Sequence, residues 1–193
     1  MFIKKSIIIL VLSVYGIHAM DVRRGQEISS IVEKMPINAM VEPKVQVIVE
    51  IPENFKSDQS MEDLLKGPMN EYFPKTDKDV KNWTELITTH NHPGMGVTSK
   101  FLAGAIIKGI TGSATNINIL RNEQKDERNY CSSIFAIAYN FKNRREILFG
   151  HYLSGPLDCS GFQYAIALSD KMTEEAAFQK IKDYADKKVK LLK

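Results

Sequence analysis

Three strand-patterned runs follow one another between Tyr130 and Ser169, with too little chain between them for anything but tight reversals. In the first, Tyr130 to Phe141, the residues Cys131, Ser133, Phe135, Ile137, Tyr139 and Phe141 share one side under the two-residue period of a strand. Arg145 to Ser154 and Phe162 to Ser169 follow across short turns. Parallel neighbours need a crossover of a dozen or more residues, so this spacing dictates an antiparallel three-strand meander. Helical patterns lie before and after it. The combination predicts an α+β fold, an antiparallel sheet packed against a central and a C-terminal helix that cover it on one side, and not a doubly wound parallel sheet.

The rest of a single domain over 44–193 reads in the same way. Lys44 to Ile51 alternates Val45, Val47, Val49 and Ile51 with polar residues, the signature of a half-buried strand. Ser60 to Pro68 carries a cap, early acids and a terminal Gly-Pro, which predicts one or two helical turns. Asn70 to Pro74 and Trp83 to His90 are two further strands joined by a charged loop, and HNHPGMG is a turn. From Thr98 a helix lays Phe101, Leu102, Ala105, Ile106 and Ile110 on one stripe and stops at Gly112. Asn116 to Leu120 is a short strand, and the charged RNEQKDER after it is a solvated turn or a protruding hairpin tip. The last helix starts at Thr173 with Glu174 and Glu175, which suit its positive end. It buries Phe178, Ile181, Ala185 and Leu192, and its lysine-rich end complements the helix dipole.

Residues 1–19 have the form of a secretory signal peptide: Lys4 and Lys5, an apolar run from Ile7 to Tyr15, and small residues ahead of a cut expected after Ala19. The apolar stretch falls short of the roughly 20 residues that span a bilayer, and no later segment approaches that length. Residues 20–43 form a peripheral segment, with Ile28, Ile31, Val32 and Met35 at helical spacing ahead of Pro36. Removing the leader lowers the formal charge from +3 to near +1. A domain so close to neutral lacks the positive field of a nucleic-acid binder, which excludes DNA and RNA as expected partners.

The residues that carry chemistry are few. Cys131 and Cys159 fall at one rim of the meander, and an oxidising compartment predicts a disulfide between them, which the chain-entropy model values at roughly 3–4 kcal/mol. A nucleophilic Cys159 activated by His151 is the competing reading. His90 and His92, two apart, supply half of a zinc or copper site, with no third ligand at a recognisable spacing. Asp77 and Asp79 lack the rest of a calcium loop, Ser154 and Ser160 lack a nucleophile elbow, and GMGVTSK lacks phosphate-loop spacing. No cofactor is expected.

The run from Val49 to Thr89, with IPENF and then EYFPKTDKDVKNWTELITT, resembles a group of small exported bacterial proteins of unknown function. There an I-P segment precedes a V-P-x-x-E/D-x-V-x-N-W-T-E strand motif, which here reads FPKTDKDVKNWTE with Phe73 in place of valine. The resemblance implies a periplasmic or secreted location and assigns no catalytic residue. The sequence therefore predicts a non-catalytic binding or accessory domain. It would take another protein or a small ligand through one sheet edge or the loop around His90, with Tyr139, Tyr152 and Tyr164 either exposed to help or packed in the core. The alternative is an enzyme dependent on a metal at His90 and His92 or on a cysteine.

Overall fold

The computed structural model describes residues 45–57, 69–78 and 82–192. The signal peptide, the peripheral segment of 20–43 and the helix expected over 60–67 lie outside the described residues. In chain order the elements are β1 (Gln46–Val49), β2 (Phe55–Ser57), β3 (Met69–Pro74), β4 (Glu85–His92), α1 (Ser99–Thr111), β5 (Thr115–Asp126), β6 (Cys131–Phe141), β7 (Arg144–Ser154), β8 (Cys159–Ala167), α2 (Glu174–Lys188) and β9 (Val189–Leu192).

Seven strands form one sheet in the order β2-β3-β4-β8-β7-β6-β5, with antiparallel ladders throughout. The meander is its centre, and β1 pairs with β9 in a separate two-stranded ribbon. Between β6 and β7 the chain reverses through Lys142, whose φ of 56° is left-handed, a conformation that suits the tight turns of hairpins.

The helices do not share one side of the sheet, as the sequence suggested. Leu102, Ala103, Ile106 and Ile110 of α1 pack with Phe135, Ile137, Leu148 and Ala165 on one face. Ala177 and Ile181 of α2, with Val47 of β1 and Val45 just before it, pack with Ala136, Ile147, Phe149 and Phe162 on the other. The strands of the meander are apolar at both alternations, so each face needs its own cover. Thr98 caps α1 by accepting the Phe101 N–H at 3.1 Å, and Thr173 caps α2 through the Ala176 N–H at 3.2 Å.

Three boundaries move for tertiary reasons. β4 continues through His92 because its ladder with β8 runs to the pair His92–Cys159, so the two histidines sit in a strand and not in a turn. β5 continues to Asp126 because β6 supplies a partner for it, and RNEQKD of the expected turn becomes part of the charged edge strand of the seven-stranded sheet. The last helix stops at Lys188, and Val189 to Leu192 extend to pair with β1, so Leu192 is half exposed instead of buried. Phe101 likewise faces solvent, while Ser99 and Ala103 take the buried positions on α1.

Candidate functional site

Among the described residues two places are candidates for a site, one on each face of the sheet. On the α1 face, His90 lies opposite Gly161, Gly161 opposite Tyr152, and Tyr152 opposite Ser133. Directly opposed residues of antiparallel strands point the same way, so His90, Tyr152 and Ser133 line one row. Gly161 is the bare position in that row. A Cβ there would stand 2.3 Å from Tyr152 Cδ1, so glycine lets the tyrosine ring lean across β8 until its centroid is 5.4 Å from that of His90. In the next row Gln163 lies opposite Thr88, and its Nε2 donates to the Tyr152 hydroxyl at 2.7 Å and reaches His90 Nε2 at 2.9 Å.

An amide nitrogen only donates, so His90 Nε2 must accept and carries no proton. That neutral state agrees with its pKa, brought down to about 3 by burial and then by the neighbouring His92. His92 is 7% exposed, its ring stacks on His90 at 6.0 Å, neither ring nitrogen has a hydrogen-bond partner, and burial lowers its pKa as well. Both imidazoles are therefore uncharged at neutral pH. Among the described residues no group of three or more His, Cys, Asp or Glu side chains stands where it could hold a metal ion. His90 and His92 have each other as neighbours, and among the described residues no third ligand converges on them.

The cysteines come to one rim and one face, as the meander requires, since Cys131 is opposite Ser154 and Ser154 is opposite Cys159. Both are free thiols, so the disulfide expected from the sequence is not formed. The reason is Ser154: with a strand between them, the two Cα atoms are two ladder spacings apart, roughly 10 Å, against the ~7 Å limit for a bridge. Cys159 is fully buried and its thiol is pushed up to about 12, so it is protonated and a poor nucleophile. Nor is His151 its base. His151 is opposite Phe162 and Ile134, on the α2 face, where its Nε2 lies 3.0 Å from Ser132 Oγ. Ser132 sits inside two ladders that use the nearby backbone N–H groups, so no donors converge there to hold an oxyanion.

The remaining sequence candidates have local structural duties. Ser154 Oγ accepts the Ser99 N–H at 2.9 Å and fixes the start of α1 to the sheet. Asp77 accepts from the N–H and hydroxyl of Thr84 at 2.7 and 3.0 Å, and Asp79 lies outside the described residues. Tyr139, Tyr152 and Tyr164 are buried, as core packing has it. The Tyr139 hydroxyl donates to Glu146 at 2.8 Å, and Tyr164 donates to Glu85. In the loop after β4, Gly94 and Gly96 have φ of 68° and 61°. Their N–H groups donate to the Asp158 carboxylate and the Leu157 carbonyl, each at 3.0 Å, tying the loop to the start of β8.

The second place was not legible in the sequence: a groove of about 700 Å³ on the α2 face, between β1 and the β3–β4 part of the sheet. The Glu50 N–H donates to the Lys188 carbonyl at 2.9 Å, so by alternation Ile48 and Gln46 turn their main chain to β9, and Val47 and Val49 turn theirs away from it. The Val47 N–H is met by Ser160 Oγ at 3.1 Å, which pins β1 to β8 with its second edge along the groove. Asn70, Tyr72, Thr89, Asn91, Pro93 and Met95 line the groove with that edge. Among the described residues the lining holds no lysine, arginine, aspartate or glutamate, and the His90 that contributes to it is neutral.

No family model matches the chain, and no curated protein matches it. Among solved structures it is similar to the Ran-binding protein Mog1p of Saccharomyces cerevisiae, at 9% identity and a TM-score of 0.43, over 70% of this chain and 77% of that one. It is also similar to LpqN of Mycobacterium tuberculosis, a protein involved in cell envelope biogenesis, at 9% identity and a TM-score of 0.44, over 82% and 90% of the two chains. Likeness at this level is confined to the outline of the fold.

Proposed function

We propose that this chain is an exported, non-catalytic binding domain that takes an extended, uncharged segment of a partner protein along the second edge of β1. The observation that carries the reading is the groove itself. It offers strand main chain on one wall, amide and hydroxyl side chains on its floor and apolar contacts at Tyr72, Ile51 and Met95, which is how strand addition combines main-chain pairing with side-chain pockets. Its volume falls within the usual range for ligand clefts. The absence of charge among the described lining residues disfavours phosphate or carboxylate ligands. The groups best suited to chemistry are held inert: Cys159 protonated, His90 neutral, Ser160 engaged by Val47. The signal-like residues 1–19 support export, and among the described residues no helix is long and apolar enough to cross a membrane.

Selection from a displayed random-peptide library tests the reading. Enriched peptides should be uncharged and extended when bound, should shift the amide resonances of Val47 to Ile51, and should lose affinity for Asn91→Trp, which fills the groove. Enriched peptides that bind wild type and Asn91→Trp equally would overturn it, as would the failure of any to be enriched. Amino-terminal sequencing of the processed protein should begin at Met20.

A further inference from the structure

The outer strand β5 ends the seven-stranded sheet, and among the described residues nothing pairs with its outer edge. We infer that residues 121–126 of β5, with Glu127 just after it, pair antiparallel with the same residues of a second copy of this chain, about a two-fold axis at Gln124. The ladder fixes which main-chain groups are available. The Glu127 N–H donates to the Tyr130 carbonyl at 2.9 Å and Lys125 lies opposite Ser132, so Glu127, Lys125, Glu123 and Arg121 turn their main chain toward β6. Asn122, Gln124 and Asp126 therefore turn theirs outward. All three are exposed.

Side-chain charge selects a register for that edge. Arg121, Glu123, Lys125 and Glu127 share one face with alternating sign, and at present they pair along their own strand, Arg121 with Glu123 at 2.7 Å and Lys125 with Glu127 at 2.5 Å. A two-fold axis at Gln124 sets Arg121 opposite Glu127 and Glu123 opposite Lys125 of the second copy, each twice. The same axis brings the outward main chain of Gln124 against itself and that of Asn122 against Asp126. Moving the axis by one residue in either direction sets Arg121 against Lys125 and Glu123 against Glu123, or Lys125 against Lys125 and Glu123 against Glu127. Like charges directly opposed are unfavourable, so of these three registers only the axis at Gln124 opposes unlike charges at every charged pair of that face. The register shift between Ile119 and Arg121 bulges Leu120 out of the ladder and limits the pairable stretch to the hairpin's outer half. A bulge and charged side chains are also the means by which edges are kept single, but scattered charge would serve that purpose without this two-fold symmetry.

Sedimentation equilibrium of the full processed chain at low and high salt tests the inference. A dimer that weakens with salt is expected. Lys125→Glu should raise its dissociation constant by at least about tenfold, since it opposes like charges twice. The double exchange Glu123→Lys with Lys125→Glu should restore it. Gln124→Pro, which removes an outward N–H that β6 does not use, should leave the circular dichroism of the monomer intact and abolish the dimer. A monomer at every concentration, a dimer indifferent to Lys125→Glu, or failure of the double exchange to restore association would each overturn the proposal.

Discussion

The neutral histidines make stability depend on acid in a calculable way. In the unfolded chain His90 titrates at its ordinary value of 6.5, and in the fold burial and His92 hold it down to about 3. Between those values the unfolded chain binds a proton that the native state does not, so stability is complete above pH 6.5 and falls as the pH drops through the window. At pH 5 the loss from His90 alone is about 2 kcal/mol, a fall of roughly 4–8 °C in melting temperature for a domain of this size. The measurement is urea unfolding at pH 7.5 and pH 5 for wild type and for His90→Gln, which offers Gln163 a side-chain oxygen and does not titrate. Whatever that substitution costs at pH 7.5, its pH-dependent loss should be smaller than wild type's by about 2 kcal/mol. Carboxylates contribute to both proteins and cancel in the comparison. Equal losses for the two proteins would refute the burial of a neutral His90 against Gln163 and Tyr152.

Gly161→Ala should destabilise by about 1–3 kcal/mol or more, because its Cβ meets both Tyr152 Cδ1 at 2.3 Å and the His151 carbonyl at 2.7 Å; a denaturation midpoint equal to wild type would contradict the packing of that row. Ile181→Ala on α2, fully buried, should cost about 2–5 kcal/mol by the same measurement. Thiol titration of the native protein without reductant should label Cys131 and spare Cys159, with both reacting in denaturant; an absence of reactive thiols in denaturant would show a bridge and break the β6–β7–β8 register.

What was legible in the sequence was whatever local pattern and short connections decide. The meander from Cys131 to Ala167 follows from alternation plus turns too short for a crossover, and the starts of both helices follow from Thr98 and Thr173 as caps. What was not legible depends on distant partners. Nothing local in RNEQKDER says strand, because its pairing comes from β6; nothing in Val189 to Leu192 separates it from the helix before it except the arrival of β1. The cysteines were placed at the correct rim and still misjudged, since counting reversals gives the end of the sheet but not the intervening strand that spaces the sulfurs. Gly150 and Gly161 carried the missed signal for the α1-face cluster: glycine within a strand marks a close approach, here of Phe135 and Tyr152. The groove is defined by β1 lying over a sheet from which sequence places it far away.

The edge of β1 is the proposed meeting place of this domain and its partner. A photo-crosslinking residue at Asn91, in the groove, and another at Lys108 on α1 as control, introduced into the chain in its own cells, test it most directly. A discrete protein adduct from Asn91, absent from Lys108 and lost when an enriched groove-binding peptide is added in excess, is the predicted result. Adducts that are the same from both positions, or none from Asn91, would contradict it.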